Sequence, residues 1–461
     1  MSQRPSSGTK NKKGRGKRHV HVWERINENA AGIDAGAEDH YVAVPEGSAR
    51  GDDADERKFK TTTRALYELA DWLAECGVTS VAIEATGVYC LPLIEVLVAR
   101  GFDVLIAKPS SLKSVNDKQK TDMKDCRWIQ VLHTFGLLRP SYRPTELVAE
   151  YRTYNRHRQT LIGQASTAIE HMKKALTAMN VRLDLAVTDV TGRTGMAIIR
   201  AILDGTRDPL VLASMRDERC AKSEVAIAEA LTGKWADHYL FELDHAVRTW
   251  DHIQKLIAEC NTKLEEQANQ FAKKAAREAI PTPRRVEHVR KNVLTFDARQ
   301  LFFEVFGQDL TQIDGISTGT LSVLLAEVGP NVDAWNSEKH FASWLRACPG
   351  MNRSGGKNRS GKNRKTTNRL WTALRIAAQT LARSQSSLGA FYRRKRAHLG
   401  PEKAINAAAH KLARMIYLTL KHQRPYVDPG PDQYFERHRH TILKTMEKRA
   451  RQLGYTLTKA A

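Results

Sequence analysis

Four carboxylates in the first 125 residues of this 461-residue chain occupy positions from which side chains can converge. Asp34 closes an apolar run in AGIDAG, and Glu84 closes another in VAIEATG. Asp122 and Asp125 stand three apart in KTDMKD, a spacing that puts both on one helical face. A carboxylate after a buried apolar run is costly unless it meets a cation or solvent, and four acids meeting at one point repel one another. A divalent cation removes that repulsion, and all-oxygen ligation suits Mg²⁺ or Mn²⁺. Two such ions about 3.5–4 Å apart clamp the attacking and leaving oxygens of a phosphodiester. Each acid also has an ordinary role: Asp34 as a turn former, Glu84 as a cap for the next helix, Asp122 and Asp125 as a solvated first turn that suits the helix dipole. Taken singly, the ordinary role is the stronger one for every acid.

A second candidate lies in GMNRSGGKNRSGKNRK, Gly350 to Lys365, where Ser354 sits among glycines and six Lys/Arg. From Lys339 to Pro401 there are 15 Lys/Arg and no Asp or Glu. Gly355 and Gly356 allow close backbone approach to a bulky group. A serine hydroxyl needs activation to act as a nucleophile, and neither a neighbouring acid nor a G-x-S-x-G elbow is present, which argues against acyl transfer. Arg353, Lys357 and Arg359, with Lys362, Arg364 and Lys365 beyond them, would instead stabilise the charge on an attacked phosphate. The competing role is a basic loop in which Ser354 and Ser360 only form hydrogen bonds, and spacing alone favours it.

The elements that must position these groups are legible in outline. Residues 31–140 alternate strand and helix patterns: AAGIDAGAEDHYVAVPEG as strand, turn, strand, and TTTRALYELADWLAECG as a helix closed by Gly77. VTSVAIEATG then reads as a buried strand, LPLIEVLVARG as a helix, FDVLIAKP as a strand, and DKQKTDMKDCRWIQVLHTFGLL as a segment that becomes helical. The expectation is an α/β unit with a mixed sheet. In the order strand, strand, helix of a ribonuclease-H-like fold, the four acids together favour the metal role. Residues 145–280 hold two long helical stretches that predict a coiled-coil or hairpin arm of the kind used in self-association, or an ordinary helical domain. IPTPRRVEHVRKNVLTFD reads as a linker. DLTQIDGISTGTLSVLLAEVGP resembles half of a helix-hairpin-helix, whose IDGIS turn would offer N–H groups to a phosphate, or is a tight turn between core helices. Helices follow from about Thr366 to His422, and the last 20 residues are basic and helical. Trp371, Phe391 and Tyr392 could stack on bases, although Trp371 shares an apolar face with Leu374 and Ala378.

Net charge is +22, which points to a polyanion, nucleic acid before an anionic membrane. The first 20 residues carry seven Lys/Arg, no acid and no apolar core of a secretory signal, so they read as a disordered basic arm. No apolar run reaches transmembrane length. Six scattered cysteines without a CxxC pair argue against a zinc site or a disulfide framework and fit a reducing cytoplasm.

The stretches GIDAGAEDHYVAVP, AIEATGVY, KTDMKD, IDGIS and RSGGK stand in the order seen in DEDD insertion-sequence transposases, which pair a RuvC-like N-terminal domain with a C-terminal serine domain. From about residue 30 to 430 the chain resembles this family, the bridge-RNA-guided recombinases. The segments VTGRTGMAIIRAILDGTRDP and LARSQSSLGAFYRRKRAHLGPEKAINAAAHKLARMIY are similar to its longer members. The resemblance implies that Asp34, Glu84, Asp122 and Asp125 are metal ligands and that Ser354 is the nucleophile of a transient serine–DNA link. It implies donor and target DNA as substrates, a noncoding bridge RNA that pairs with both, and a tetramer held by the helical middle. The organisation expected is a basic arm over 1–22, a RuvC-like catalytic domain over 23–144, a helical or coiled-coil oligomerisation region over 145–280, a linker over 281–298, a mainly helical serine domain over 299–430 and a basic tail over 431–461. A RuvC-type structure-selective nuclease using metal-activated water is the alternative, and a noncatalytic nucleic-acid scaffold is the third possibility. The chain has no recognisable helix-turn-helix or zinc finger for reading bases, and a guide RNA would supply that information.

Overall fold

The computed structural model describes residues 24–50, 54–84, 87–107, 122–272, 280–283, 291–354, 357–363 and 368–458, with backbone alone for Asp122, 349–354 and 357–363. The basic arm, Arg364 and Lys365 lie outside the described residues. The chain divides into two compact units, Met1–Arg143 and Pro144–Ala461.

In the first unit, β1 (Ala30–Ala35), β2 (Asp39–Ala43), β3 (Glu56–Lys60), β4 (Ser80–Glu84) and β5 (Asp103–Ala107) form one sheet in the order β3-β2-β1-β4-β5. β1 pairs antiparallel with β2, and β2 with β3, whereas β1 with β4 and β4 with β5 are parallel. Side chains of a strand alternate between the two faces, and the two cores follow that alternation. Ala31, Ile33, Val81 and Ile83 pack beneath α1 (Thr63–Glu75) and α2 (Leu91–Ala99), with Leu69, Leu73, Leu93 and Leu97. Ala82 and Ala107 pack on the opposite face against Ile129 and Leu132 of α3 (Asp122–Thr134). β4 is buried on both faces, as a central parallel strand must be.

β3 has no counterpart in the sequence pattern. ERKFK buries only Phe59, so it lacks the alternation that marks a strand. It is an edge strand carrying three cations, a composition that discourages edge-to-edge pairing.

The second unit is largely helical. Its spine is α4 (Glu146–Ala178) with α9 (Asp237–Phe271). Arg158 meets Asn261, Leu161 packs with Ile257, and Met172 clusters with Leu243, so the two helices run antiparallel. Between them α5 (Leu183–Ala186), α6 (Arg193–Leu203), α7 (Pro209–Ser214) and α8 (Glu224–Leu231) wrap a second apolar core around Met172, Leu176 and Val247. Near the start of α4, Tyr151 and Asn155 reach Ser322 of α11 (Thr318–Glu327), which follows α10 (Ala298–Phe306). After α12 (Glu338–Trp344) come the hairpin strands β6 (Pro349–Ser354) and β7 (Lys357–Asn363). Then follow α13 (Arg369–Thr380), α14 (Ser387–Leu399), α15 (Pro401–His422) and α16 (Gly430–Gln452). Among the described residues no helix is long and apolar enough to cross a membrane.

The IDGIS segment is a tight turn packed against α13. Gly315 has φ of 91°, and a Cβ there would stand 2.8 Å from the carbonyl of Ala377 in α13. Asp314 is buried and accepts from Ser384. The Ser317 hydroxyl accepts from Thr320 N, capping α11 from within the chain.

Candidate active site

Asp34 and Glu84 end neighbouring parallel strands. Their preceding residues, Ile33 and Ile83, are register partners. Gly32 and Asp34 alternate with the core residues Ala31 and Ile33, so both belong to the opposite face, and Ala82 places Glu84 on that same face by the same count. α3 covers this face. Asp34, Glu84 and Asp125 are all half-buried. The backbone of Asp122 opens α3, and Asp125 lies one turn before Ile129, which packs on the sheet. The structure therefore brings two strand ends and the first turn of one helix to the same face.

Two features hold that helix in place. The first is Gly32. A Cβ on it would fall 2.2 Å from the backbone N of Gln130 and 2.4 Å from the carbonyl of Cys126. The backbone of α3 thus lies directly on the backbone of β1, two residues before Asp34. The second is Arg127. Its Nε donates to Glu56 Oε1 at 2.8 Å, Nη1 to the Val44 carbonyl at 2.5 Å and Nη2 to the Asp55 carbonyl at 3.1 Å. Neither residue is among the candidate site residues of the sequence. A glycine inside a strand run signals close backbone approach, and that signal was available in AGIDAG.

Cys126 is fully buried, and its thiol donates to the Met123 carbonyl at 3.0 Å. Burial first, then the charge of Glu56, pushes its pKa up to about 12; Asp34 contributes in the same direction. The thiol is an inert small hydrophobe here. All six cysteines are free.

Among the described residues no group of three His, Cys, Asp or Glu is spaced to hold a metal ion: Asp34, Glu84 and Asp125 share a face of the sheet without being gathered to ligating distance, and the Asp122 side chain lies outside the described residues. The donor chemistry still fits a hard divalent cation: carboxylates alone, at adjacent strand ends, under a helix seated where a single Cβ would displace it.

Ser354 is the last residue of β6, opposite Lys357 in the antiparallel register; Arg353 stands opposite Asn358 and Asn352 opposite Arg359. Lys362 lies further along β7. Gly355 and Gly356 lie outside the described residues. The segment is thus a two-stranded hairpin rather than an irregular loop, with an irregularity in register between Pro349 and Met351.

The aromatic candidates are accounted for internally. Trp371 is buried with Leu374 and Ala378 in α13, as its apolar face implied. Tyr392 is buried, which removes it from base stacking. Phe391 lies under Lys411, 4.5 Å from ring centroid to Nζ, and edge-on to Tyr434.

Two family models match the chain: a DEDD transposase of the IS110 type over residues 31–181, and the transposase IS116/IS110/IS902 family over residues 307–393. The matches together span just over half of the chain. The chain belongs to the IS110 family of transposases. No curated protein matches it. This IS110-family transposase carries Asp34, Glu84, Asp122 and Asp125 within the first match and Ser354 within the second. Its substrate is DNA, and the DEDD family implies a divalent-metal-dependent site.

Proposed function

We propose that this transposase exchanges DNA strands through a serine–DNA ester, using Asp34, Glu84, Asp122 and Asp125 to hold Mg²⁺ or Mn²⁺ and a noncoding bridge RNA to choose the sites. The observation that carries the proposal is the shared sheet face: Asp34 and Glu84 end adjacent parallel strands beneath α3, the helix that opens with Asp122 and Asp125. Acids at two neighbouring strand ends and at the start of the covering helix agree with the strand, strand, helix order of a ribonuclease-H-like, RuvC-like domain over 23–144.

When bound, the cations offset the carboxylate charge and polarise the phosphodiester. The protein's own groups do the rest. The Ser354 hydroxyl attacks phosphorus, forming a serine–phosphate ester and releasing a sugar hydroxyl. A sugar hydroxyl of the incoming strand then attacks that ester, rejoining the DNA and returning the serine. Arg353, Lys357, Arg359, Lys362, Arg364 and Lys365 hold the flanking phosphates and stabilise the charge on the attacked one, in a stretch where no acid competes. In this reading 299–430 is the serine domain, and the helical region 145–280 joins protomers into a tetramer. Base pairing by the RNA supplies sequence choice while the protein contacts backbone and shape.

The test is Ser354→Ala beside Asp34→Asn in the full chain with donor DNA, target DNA and RNA. Both variants abolish strand exchange, and Ser354→Ala also abolishes the covalent protein–DNA adduct while nucleic-acid binding persists. An adduct formed by Ser354→Ala overturns the serine assignment. Cleavage by Ser354→Ala that leaves free DNA ends favours a nuclease using metal-activated water.

A further inference from the structure

We propose that Arg127 is a positioning residue for the acid pair of α3, fixing the rotation of that helix over the sheet so that Asp122 and Asp125 meet Asp34 and Glu84. The proposal rests on the acidic-site reading given above. It begins with a mechanical problem. In that reading four carboxylates are gathered against their mutual repulsion, and two of them belong to the first turn of α3. The contact at Gly32 sets the height of α3 over β1 at Cys126 and Gln130. The later turns of α3 are held by Ile129 and Leu132 against Ala82 and Ala107, by His133 against Ser80, and by the Thr134 carbonyl, which accepts from Ile26 N and Asn27 N; the first turn, with Asp122 and Asp125, lies at the other end of the helix.

Arg127 supplies the attachment nearest to the acid pair. It lies two residues after Asp125 and reaches the connection between β2 and β3. Its three bonds go to different groups there: the carboxylate of Glu56 and the carbonyls of Val44 and Asp55. A planar guanidinium bonded at three nitrogens cannot turn without breaking one of them. The ground it grips is itself tied. Val44 N donates to the Asp55 carbonyl at 2.9 Å, and the Asp55 carboxylate accepts from Gly47 N and Ala49 N. The Arg127 side chain is mostly buried, with 23% of its surface exposed, so its bonds are shielded from competing water. Groups that orient ligands without touching the ion typically contribute about 10–100-fold in metal affinity.

Arg127 could instead serve only to seal the β2–β3 connection. The two roles separate by measurement. Divalent-cation affinity of the full chain is read by Mn²⁺ titration with electron paramagnetic resonance, alongside the melting temperature, for Arg127→Gln, Arg127→Lys, Glu56→Gln and Asp125→Asn. Positioning predicts that Arg127→Gln weakens Mn²⁺ binding about tenfold or more. It also predicts that Arg127→Lys restores part of the loss, and that Glu56→Gln, which spares both carbonyl bonds and keeps the connection closed, weakens binding severalfold. Mn²⁺ affinity within twofold of wild type in folded Arg127→Gln and Glu56→Gln, with only the melting temperature lowered, overturns the proposal. Asp125→Asn keeps the two layers distinct. If it leaves Mn²⁺ affinity unchanged, the acidic-site reading fails; if it abolishes binding while the Arg127 variants do not weaken it, only the positioning role fails.

Discussion

Adding one methyl group at Gly32 tests the geometry of the acidic face directly. The new Cβ of Gly32→Ala would start 2.2 Å from Gln130 N, 2.4 Å from the Cys126 carbonyl and 2.7 Å from Gln130 Cα. All three are backbone atoms of α3, so no side-chain rotation relieves the clash. An ordinary contact needs roughly 3.5 Å, and α3 must therefore retreat by about 1.3 Å. Overpacking of this kind costs about 1–3 kcal/mol, a loss of roughly 3–10 °C in the melting temperature of a small unit. The functional loss is larger. Metal-ligand distances tolerate about ±0.2 Å, and the helix that moves carries Asp122 and Asp125. We therefore expect Gly32→Ala to remain folded yet to bind Mn²⁺ at least about tenfold more weakly, read by titration with a parallel melt. Gly163→Ala is the control. Gly163 lies in α4 with open space around it, and the exchange stabilises a helix by roughly 0.5–1 kcal/mol. Gly32→Ala with Mn²⁺ affinity and melting temperature equal to wild type would refute the argument that backbone contact at β1 sets the height of α3.

Acid weakens the first unit through His133. It is 3% exposed, its Nε2 lies 2.7 Å from Ser80 Oγ, and burial lowers its pKa. The folded state favours neutral imidazole, so this contribution is complete above about pH 6.5 and is lost as pH falls below it; thermal melts between pH 8 and 5 show the slope, and His133→Gln reduces it. Tyr151→Phe removes the 2.8 Å contact with Ser322, itself bonded to Asn155, and lowers stability by about 1–2 kcal/mol in chemical denaturation. Native-state alkylation followed by mass spectrometry labels Cys220 and Cys348, both half-exposed, before buried Cys126, whose raised pKa further suppresses the thiolate.

What could be anticipated from the chain depended on whether the signal was local. The strands ending at Asp34 and Glu84 are apolar runs, and α4 and α9 keep a helical period over 33 and 35 residues, so all four were visible. β3 was invisible because one buried Phe59 among four charged residues makes no pattern. The hairpin at Ser354 escaped for the same reason: apart from Pro349 and Met351 its strands are built of Lys, Arg, Asn, Ser and Gly, and pairing rather than side-chain alternation defines them. Gly32 and Arg127 act through partners far away in sequence. Gly32 meets a helix that begins 90 residues later, and Arg127 bonds to groups 71 to 83 residues before it. Phe391 and Tyr392 looked available because they stand among cations, but α15 and α16 supply the contacts that occupy Phe391.

The antiparallel pair of α4 and α9 is also a lever. Tyr151, where α4 is bonded to α11, and Met172, where the small helical core begins, are about 32 Å apart along the helix at 1.5 Å per residue. A pivot of about 5° at the α11 end displaces the far core by about 3 Å. Spectroscopic labels on α6 to α8 would therefore magnify small rearrangements near Ser322 that labels at the fulcrum would barely register.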